Sequence, residues 1–274
     1  MNVEVDKYKN IHRIEFSSLL EFYRYMKDTE TNMSFKNERL ASMQQDDYKT
    51  KWTGTESFEH ACTLFKDGWS EMTERLNNRL NVQGRFEPTM TSRNVKSVQG
   101  FHPIVPLYLM GIPENMVTKK MIPMKQKVVT LDKSISYSCG VKQDKIIEES
   151  IKAFRLIQKL ESQNYRVNLN LVLGAGVSYS QSQSIFVKIK LKSANEKLNI
   201  SKLSFPLVHP SMLRRLMLRF IEVYPDIVRG FVHGYGTPLQ PDTMKAIWPN
   251  DILLPQFINK EVEKINTLDD LENL

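Results

Sequence analysis

The period of the apolar residues changes between residues 143 and 192, and that change limits the chain to folds that mix helices and strands. Ile147, Ile151, Phe154, Ile157 and Leu160 recur at spacings of four, three, three and three, which lines one side of a helix. Val167, Leu169, Leu171 and Leu173 then alternate with polar positions, and Ile185, Val187, Ile189 and Leu191 alternate again. Alternation by two marks strands. Residues 174–184, between them, are small and polar and predict a flexible loop. Upstream, the β-branched run Val128-Val129-Thr130-Leu131 predicts a buried strand. Downstream, Pro210 suits the first position of a helix through Leu213, Leu216, Met217 and Phe220. Phe231-Val232-His233 and Ile252-Leu253-Leu254 predict further short strands. Strands separated by helices call for crossover connections. The predicted class is α/β, a layered sandwich with a mainly parallel sheet, the 167–192 hairpin supplying an antiparallel edge.

The first half of the chain predicts a small N-terminal helical region. Ile11–Phe16 suits a short strand, and Ser17 and Ser18 offer caps for a helix carrying Leu19, Leu20, Phe22, Tyr23 and Met26. Residues 28–50 are polar and predict a mobile loop. In Trp52-Thr53-Gly54-Thr55-Glu56-Ser57-Phe58, Ser57 is an N-cap for a helix bearing Phe58, Ala61, Cys62 and Phe65. Gly68 is placed to end that helix, and Trp69-Ser70 to start another through Met72, Leu76 and Leu80. Trp52, Phe58 and Trp69 are expected as core anchors. Prolines at 103, 106, 113 and 123 forbid a long helix over residues 84–126. The expected units are 1–50, 51–126, an α/β domain at 127–258, and an acidic tail at 259–274.

Composition removes several classes of function. No apolar run is long enough for a transmembrane helix, and the acidic start, Met1 to Asp6, lacks the apolar core of a secretory signal. Cys62 and Cys139 are the only cysteines, too few for a disulfide scaffold or a cysteine zinc site. These features point to the cytoplasm of a host cell, with a virion as the alternative location. The 38 Lys and Arg against 31 Asp and Glu leave a net +7, which favours polyanions without naming one.

The segment that could carry chemistry is Leu131-Asp132-Lys133-Ser134-Ile135-Ser136, a D-x-S-x-S between a strand and a helix. Alternate side chains at the carboxyl end of a strand can present one carboxylate and two hydroxyls to a hard divalent cation. With the helix ending Leu160-Glu161 and the 167–192 hairpin, this stretch resembles the opening half of a von Willebrand factor A domain. The resemblance implies that Asp132, Ser134 and Ser136 hold Mg²⁺, which bridges to a partner's carboxylate. The family also uses a later Thr, which has no assignable counterpart here, and an Asp in the place where His233 stands. More widely, the chain resembles uncharacterised proteins of phages and mobile elements. That resemblance spans residues 50–240 and rests on four stretches: Trp52-x-Gly-Thr-x-Ser-Phe58 with Gly68-Trp69, Tyr108-Leu-Met-Gly111-x-Pro113, Leu160-Glu-x-x-x-Tyr-Arg-Val167, and His209-Pro-x-x-x-Arg-Arg215.

No H-E-x-x-H, G-x-S-x-G or P-loop sequence is present, and Gly174-Ala-Gly176 does not open a helix. The reading is therefore a non-enzymatic accessory protein that binds another protein, of phage or host, at the sheet's carboxyl edge through the Asp132–Ser136, 174–184 and 233–238 loops. Nucleic acid is the alternative partner. Lys188, Lys190 and Lys192 share one face of a predicted edge strand, and Arg214, Arg215 and Arg219 share a helix. These six could meet phosphates, or serve respectively as protection for the edge and as ion-pair partners of Glu222. Tyr179 and Phe186 are the nearest aromatics for stacking. A virion structural role is the third reading, and no membrane role is expected.

Overall fold

The alternating stretches at 165–192 form the middle of a mixed sheet, in a computed structural model that describes residues 1–80, 90–123, 126–177, 182–232 and 234–258. In chain order the elements are β1 (Asn2–Asp6), β2 (Ile11–Phe16), α1 (Leu19–Asp28), α2 (Asp47–Thr53), α3 (Phe58–Asp67) and α4 (Ser70–Arg79). Next come β3 (Met90–Ser97), β4 (His102–Pro103), α5 (Val105–Leu109), β5 (Met116–Pro123), β6 (Lys127–Ser134) and α6 (Gln143–Ser162). The chain continues through β7 (Tyr165–Val177), β8 (Gln183–Lys192), α7 (Ile200–Val208), a π-helical stretch Met212–Met217, and α8 (Leu218–Val223). It closes with β9 (Thr237–Pro238), α9 (Pro241–Ile247) and β10 (Ile252–Leu254).

The main sheet runs β1-β2-β8-β7-β6-β10, with β9 added on β7. The pairs β2/β8, β6/β7 and β6/β10 are parallel. The pairs β1/β2, β7/β8 and β7/β9 are antiparallel. The 167–192 hairpin is antiparallel, as its pattern predicts, but it is not an edge. Ile11 to Phe16 pairs with Ser184 to Ile189 on the far side of β8, so the N-terminal segment joins the sheet instead of standing apart. Residues 174–177 belong to β7, correcting the predicted loop; 178–181, with Tyr179, lie outside the described residues. Arg229–Phe231 is a short 3-10 turn, not a strand.

Strand alternation gives the sheet two faces. On one, Leu131, Leu169, Leu171, Leu173, Ile185, Val187 and Ile189 are buried under the helices in the principal core. That core takes in Ile14, Phe16, Phe22 and Met26 from the N-terminal segment and Phe58, Ala61, Met72 and Leu76 from α3 and α4. It therefore crosses the expected boundaries at 50 and 126. Each of the larger side chains, Ile, Leu, Val, Phe or Met, contributes about 1.5–3 kcal/mol on burial. On the other face α9 covers a smaller cluster of Val172, Phe186, Met244 and Trp248.

The local signals that set the helices act as expected. The Ser18 hydroxyl accepts from Glu21 N–H at 3.1 Å, and the Ser57 hydroxyl from His60 N–H at 3.0 Å, capping α1 and α3. Gly68 ends α3 at φ +82°, a conformation that favours glycine. The proline-bearing segment forms a separate three-stranded antiparallel sheet, β3-β5-β4. None of the residues at 90–123 whose side chains are described is buried, and Val98, Phe101, Tyr108, Leu109 and Met110 are exposed.

Candidate functional site

Asp132 lies inside β6 on the α9 face, 1% exposed. Register sets Asn170 of β7 beside it, and the Asn170 amide donates to its Oδ1 at 2.8 Å. Lys188 reaches across from β8, with Nζ 2.6 Å from Asp132 Oδ2 and 2.5 Å from Asp251 Oδ2. Its ammonium also sits 4.3 Å from the centre of the Trp248 ring, a favourable cation–π placement. Burial pushes the Asp132 carboxyl above its ordinary range, and the ammonium of Lys188 opposes that shift.

The three expected Mg²⁺ ligands each have a partner within the protein. Ile135 N–H still bonds to the Val172 carbonyl across the sheet, and Tyr137 N–H then donates to the Ile135 carbonyl at 2.7 Å, a tight turn centred on Ser136. The hydroxyls of Ser134 and Ser136 lie 3.7 and 3.8 Å from the Met244 sulfur, while Lys188 supplies the positive charge at Asp132. Among the described residues, no group of three or more His, Cys, Asp or Glu gathers as a ligand set. His233 lies outside them. The expected result for Asp132→Asn is a loss of about 2 kcal/mol in urea unfolding, because breaking a buried pair is costly while Asp251 still partners Lys188. Adding or chelating Mg²⁺ should leave both proteins unchanged; a metal-dependent shift in the wild type alone would reinstate the cation.

Five of the six cations in the nucleic-acid reading are also interior, which corrects the expectation of a solvated face. Lys188 is paired as above. Lys192 Nζ donates to the Val167 carbonyl at 2.9 Å and lies 2.8 Å from Glu161. Arg215 is wholly buried. Its Nε donates to Thr55 Oγ1, Nη2 to Thr55 O, and Nη1 to Ser42 O and Gln44 O, at 2.7, 2.7, 2.8 and 3.1 Å. Arg219 Nη1 donates to Thr31 Oγ1 at 2.9 Å and lies 3.6 Å from the buried Glu222. Arg214 is 3% exposed, and Lys190 alone of the six is exposed. Phe186 packs under α9 with Trp248, away from any base.

The helix carrying these arginines contains the π turn Met212–Met217 and runs through the core, buried on nearly all sides. Between it and the carboxyl ends of β6 and β7 lies a cavity of about 640 Å³. Its wall comprises residues 136–140, Leu173 to Ala175, and 234–238, with Leu213, Arg214, Leu218 and Ile221 from the helix and Ala41 and Trp52 from the N-terminal half. The 234–238 segment makes an unusual turn: Gly234, Tyr235 and Gly236 have φ of +116°, +61° and +78°. A Cβ on Gly236 would come 2.7 Å from the Phe231 ring. The positive φ of Tyr235 is held by its hydroxyl, which donates to Glu222 Oε1 at 2.7 Å and accepts from Ala41 N–H at 2.8 Å. Such strain persists where its surroundings over-determine it.

The cavity is mainly apolar, and Arg214 is the cation in its wall. Arg214 Nη1 and Nη2 donate to the carbonyls of Trp52 and Val141 at 2.6 and 2.5 Å, and the guanidinium carbon lies 4.8 Å from the centre of the Trp52 ring. The Trp52 indole donates to the Cys139 carbonyl at 2.8 Å, so an N-terminal residue ties down the loop after β6. Cys139 is exposed. Among the described residues the wall has no histidine and no carboxylate. Trp52 and Arg214 stood out in the sequence, one as a core anchor and the other as a phosphate contact. Tyr137, Leu218 and Tyr235 carried no local sign of a cavity. The signal available was the glycine set at 140, 174, 234 and 236, small residues at the places where the wall is backbone.

A family model described as Domain of unknown function (DUF7192) matches residues 3–272. No curated protein and no solved structure matches the chain.

Proposed function

We propose that this chain, which belongs to the family described as Domain of unknown function (DUF7192), is a binding protein that receives an apolar group of a protein partner in the cavity at the carboxyl ends of β6 and β7. The observation that carries this reading is the cavity itself. Its volume lies within the range of about 300–1,000 Å³ typical of ligand pockets, and its wall joins residues 136–140 and 234–238 at the edge where α/β sheets place ligands. The described wall offers one cation, Arg214, on a mainly apolar surface, a composition suited to binding.

Two finer readings go with it. The four sequence stretches from Trp52 to Arg215 support a phage or mobile-element accessory protein. The order strand, helix, antiparallel hairpin across β6, α6, β7 and β8 supports a divergent von Willebrand A-like layer, although Asp132 is engaged by Lys188.

Gly140 at the rim gives a clean test, because nothing lies within 4 Å of a Cβ placed there. Gly140→Trp should fold with an unchanged melting temperature and overhang the mouth. In affinity capture from host cells, the wild type should enrich a partner that Gly140→Trp loses. Identical captures by the two proteins would refute the cavity as the binding site.

A further inference from the structure

We infer that the group received in the cavity bears a carboxylate on an apolar body, and that Arg214 is its counter-ion; this rests on reading the cavity as the partner site. Three arginines sit on the same helical stretch, and they differ in what satisfies them. Arg215 spends its guanidinium on four hydrogen bonds to Thr55, Ser42 and Gln44, which makes it a structural clamp. Arg219 has Glu222 at 3.6 Å. Arg214 has no carboxylate within ion-pair distance among the described residues and donates once from each terminal nitrogen to a carbonyl, which leaves a second N–H on Nη1 and on Nη2. A buried guanidinium with unused donors is costly to leave unmatched. Arg214 is also the one of the three that lines the cavity. A planar fork with N–H groups to spare matches a carboxylate, and Leu173, Leu213, Leu218 and Ile221 in the same wall match a hydrocarbon body.

Two sources supply such a group: the terminal or side-chain carboxylate of a partner peptide, and a free fatty acid. Calorimetric titration of the full chain separates head from body. Decanoate is compared with decan-1-ol, and a tripeptide ending in leucine as the free acid is compared with its amide. An acid should bind at least about tenfold tighter than its neutral counterpart, the usual worth of a charge-assisted hydrogen bond. The pair that shows the preference identifies the source. Arg214→Met should reduce the preference to within about twofold, the acid losing more affinity than its neutral counterpart. Alkylation of Cys139, exposed at the cavity wall, provides a readout on the wild type that is independent of how well that variant folds. The preferred acid should slow it, and the neutral compound at equal concentration should not.

Equal affinity for acid and neutral compound overturns the inference while leaving the cavity reading standing. A preference retained in Arg214→Met overturns it by placing the acid elsewhere. Failure of all four compounds to bind also overturns it, and the Gly140→Trp capture then decides the cavity reading alone.

Discussion

Lys133→Met should be more stable than the wild type below pH 7, by about 3 kcal/mol at pH 6, and the advantage should vanish as the pH rises. Lys133 is on the core face of β6 and wholly buried. Its ammonium donates to the carbonyls of Pro255 and Gln256 at 2.7 and 3.1 Å. Burial depresses its pKa from 10.5 to about 7, against the pull of Glu149 and with the help of Lys152. Between those two values the unfolded chain binds more protons than the folded one, so stability rises with pH across that window. The full rise is worth about 4–5 kcal/mol at 1.36 kcal/mol per unit. Methionine removes the charge and keeps most of the volume, at a cost of about 1 kcal/mol per lost hydrogen bond. Urea unfolding of both proteins from pH 6 to 10 gives the answer. Parallel curves would show that Lys133 does not titrate in that window.

Arg215→Ala should lose about 4 kcal/mol in the same assay. The guanidinium binds Thr55 twice and the carbonyls of Ser42 and Gln44 once each. Thr55 in turn bonds to Ser211 at 2.8 Å. Removing the side chain leaves buried acceptors without donors and opens a cavity, and each effect alone costs about 1–3 kcal/mol. Arg215→Lys should recover only part of the loss, since a point charge cannot reach acceptors on both sides at once. A loss below about 1 kcal/mol for the alanine variant would mean that the 41–55 segment is held by something other than this clamp.

What was legible in the sequence was what a short window encodes. The helix over 143–162 follows from apolar residues at its own spacing, and the alternation at 167–191 identifies both strands of the hairpin. Its neighbours could not be seen that way. The far side of β8 is filled by Ile11–Phe16, more than 160 residues earlier in the chain, and no local pattern records a pairing that distant. The lysines of β8 depart from their local pattern for the same reason. Lysine alternating with Ile and Leu is the pattern of a half-solvated strand, yet Asp132, Asp251 and Glu161 arrive from other elements to bury two of the three. Arg214 and Arg215 are adjacent, which on an ordinary helix turns the two about 100° apart. The π turn and a helix enclosed on nearly all sides let both go inward. The sequence reads Asp132 as a Mg²⁺ ligand, and in the fold Lys188 and Asn170 meet its carboxylate. Its partner was the part that only the folded register could supply.

The small β3-β5-β4 sheet has a different consequence, for how the molecule can diversify. Since none of its described side chains enters the core, substitution there disturbs no packing elsewhere, and the main body exerts no steric veto over it. Among the described residues, the core sets no requirement that Phe101, Tyr108, Leu109 and Met110 be apolar. Those positions are therefore where a lineage could change its associations most cheaply, leaving the seven-stranded frame as it is.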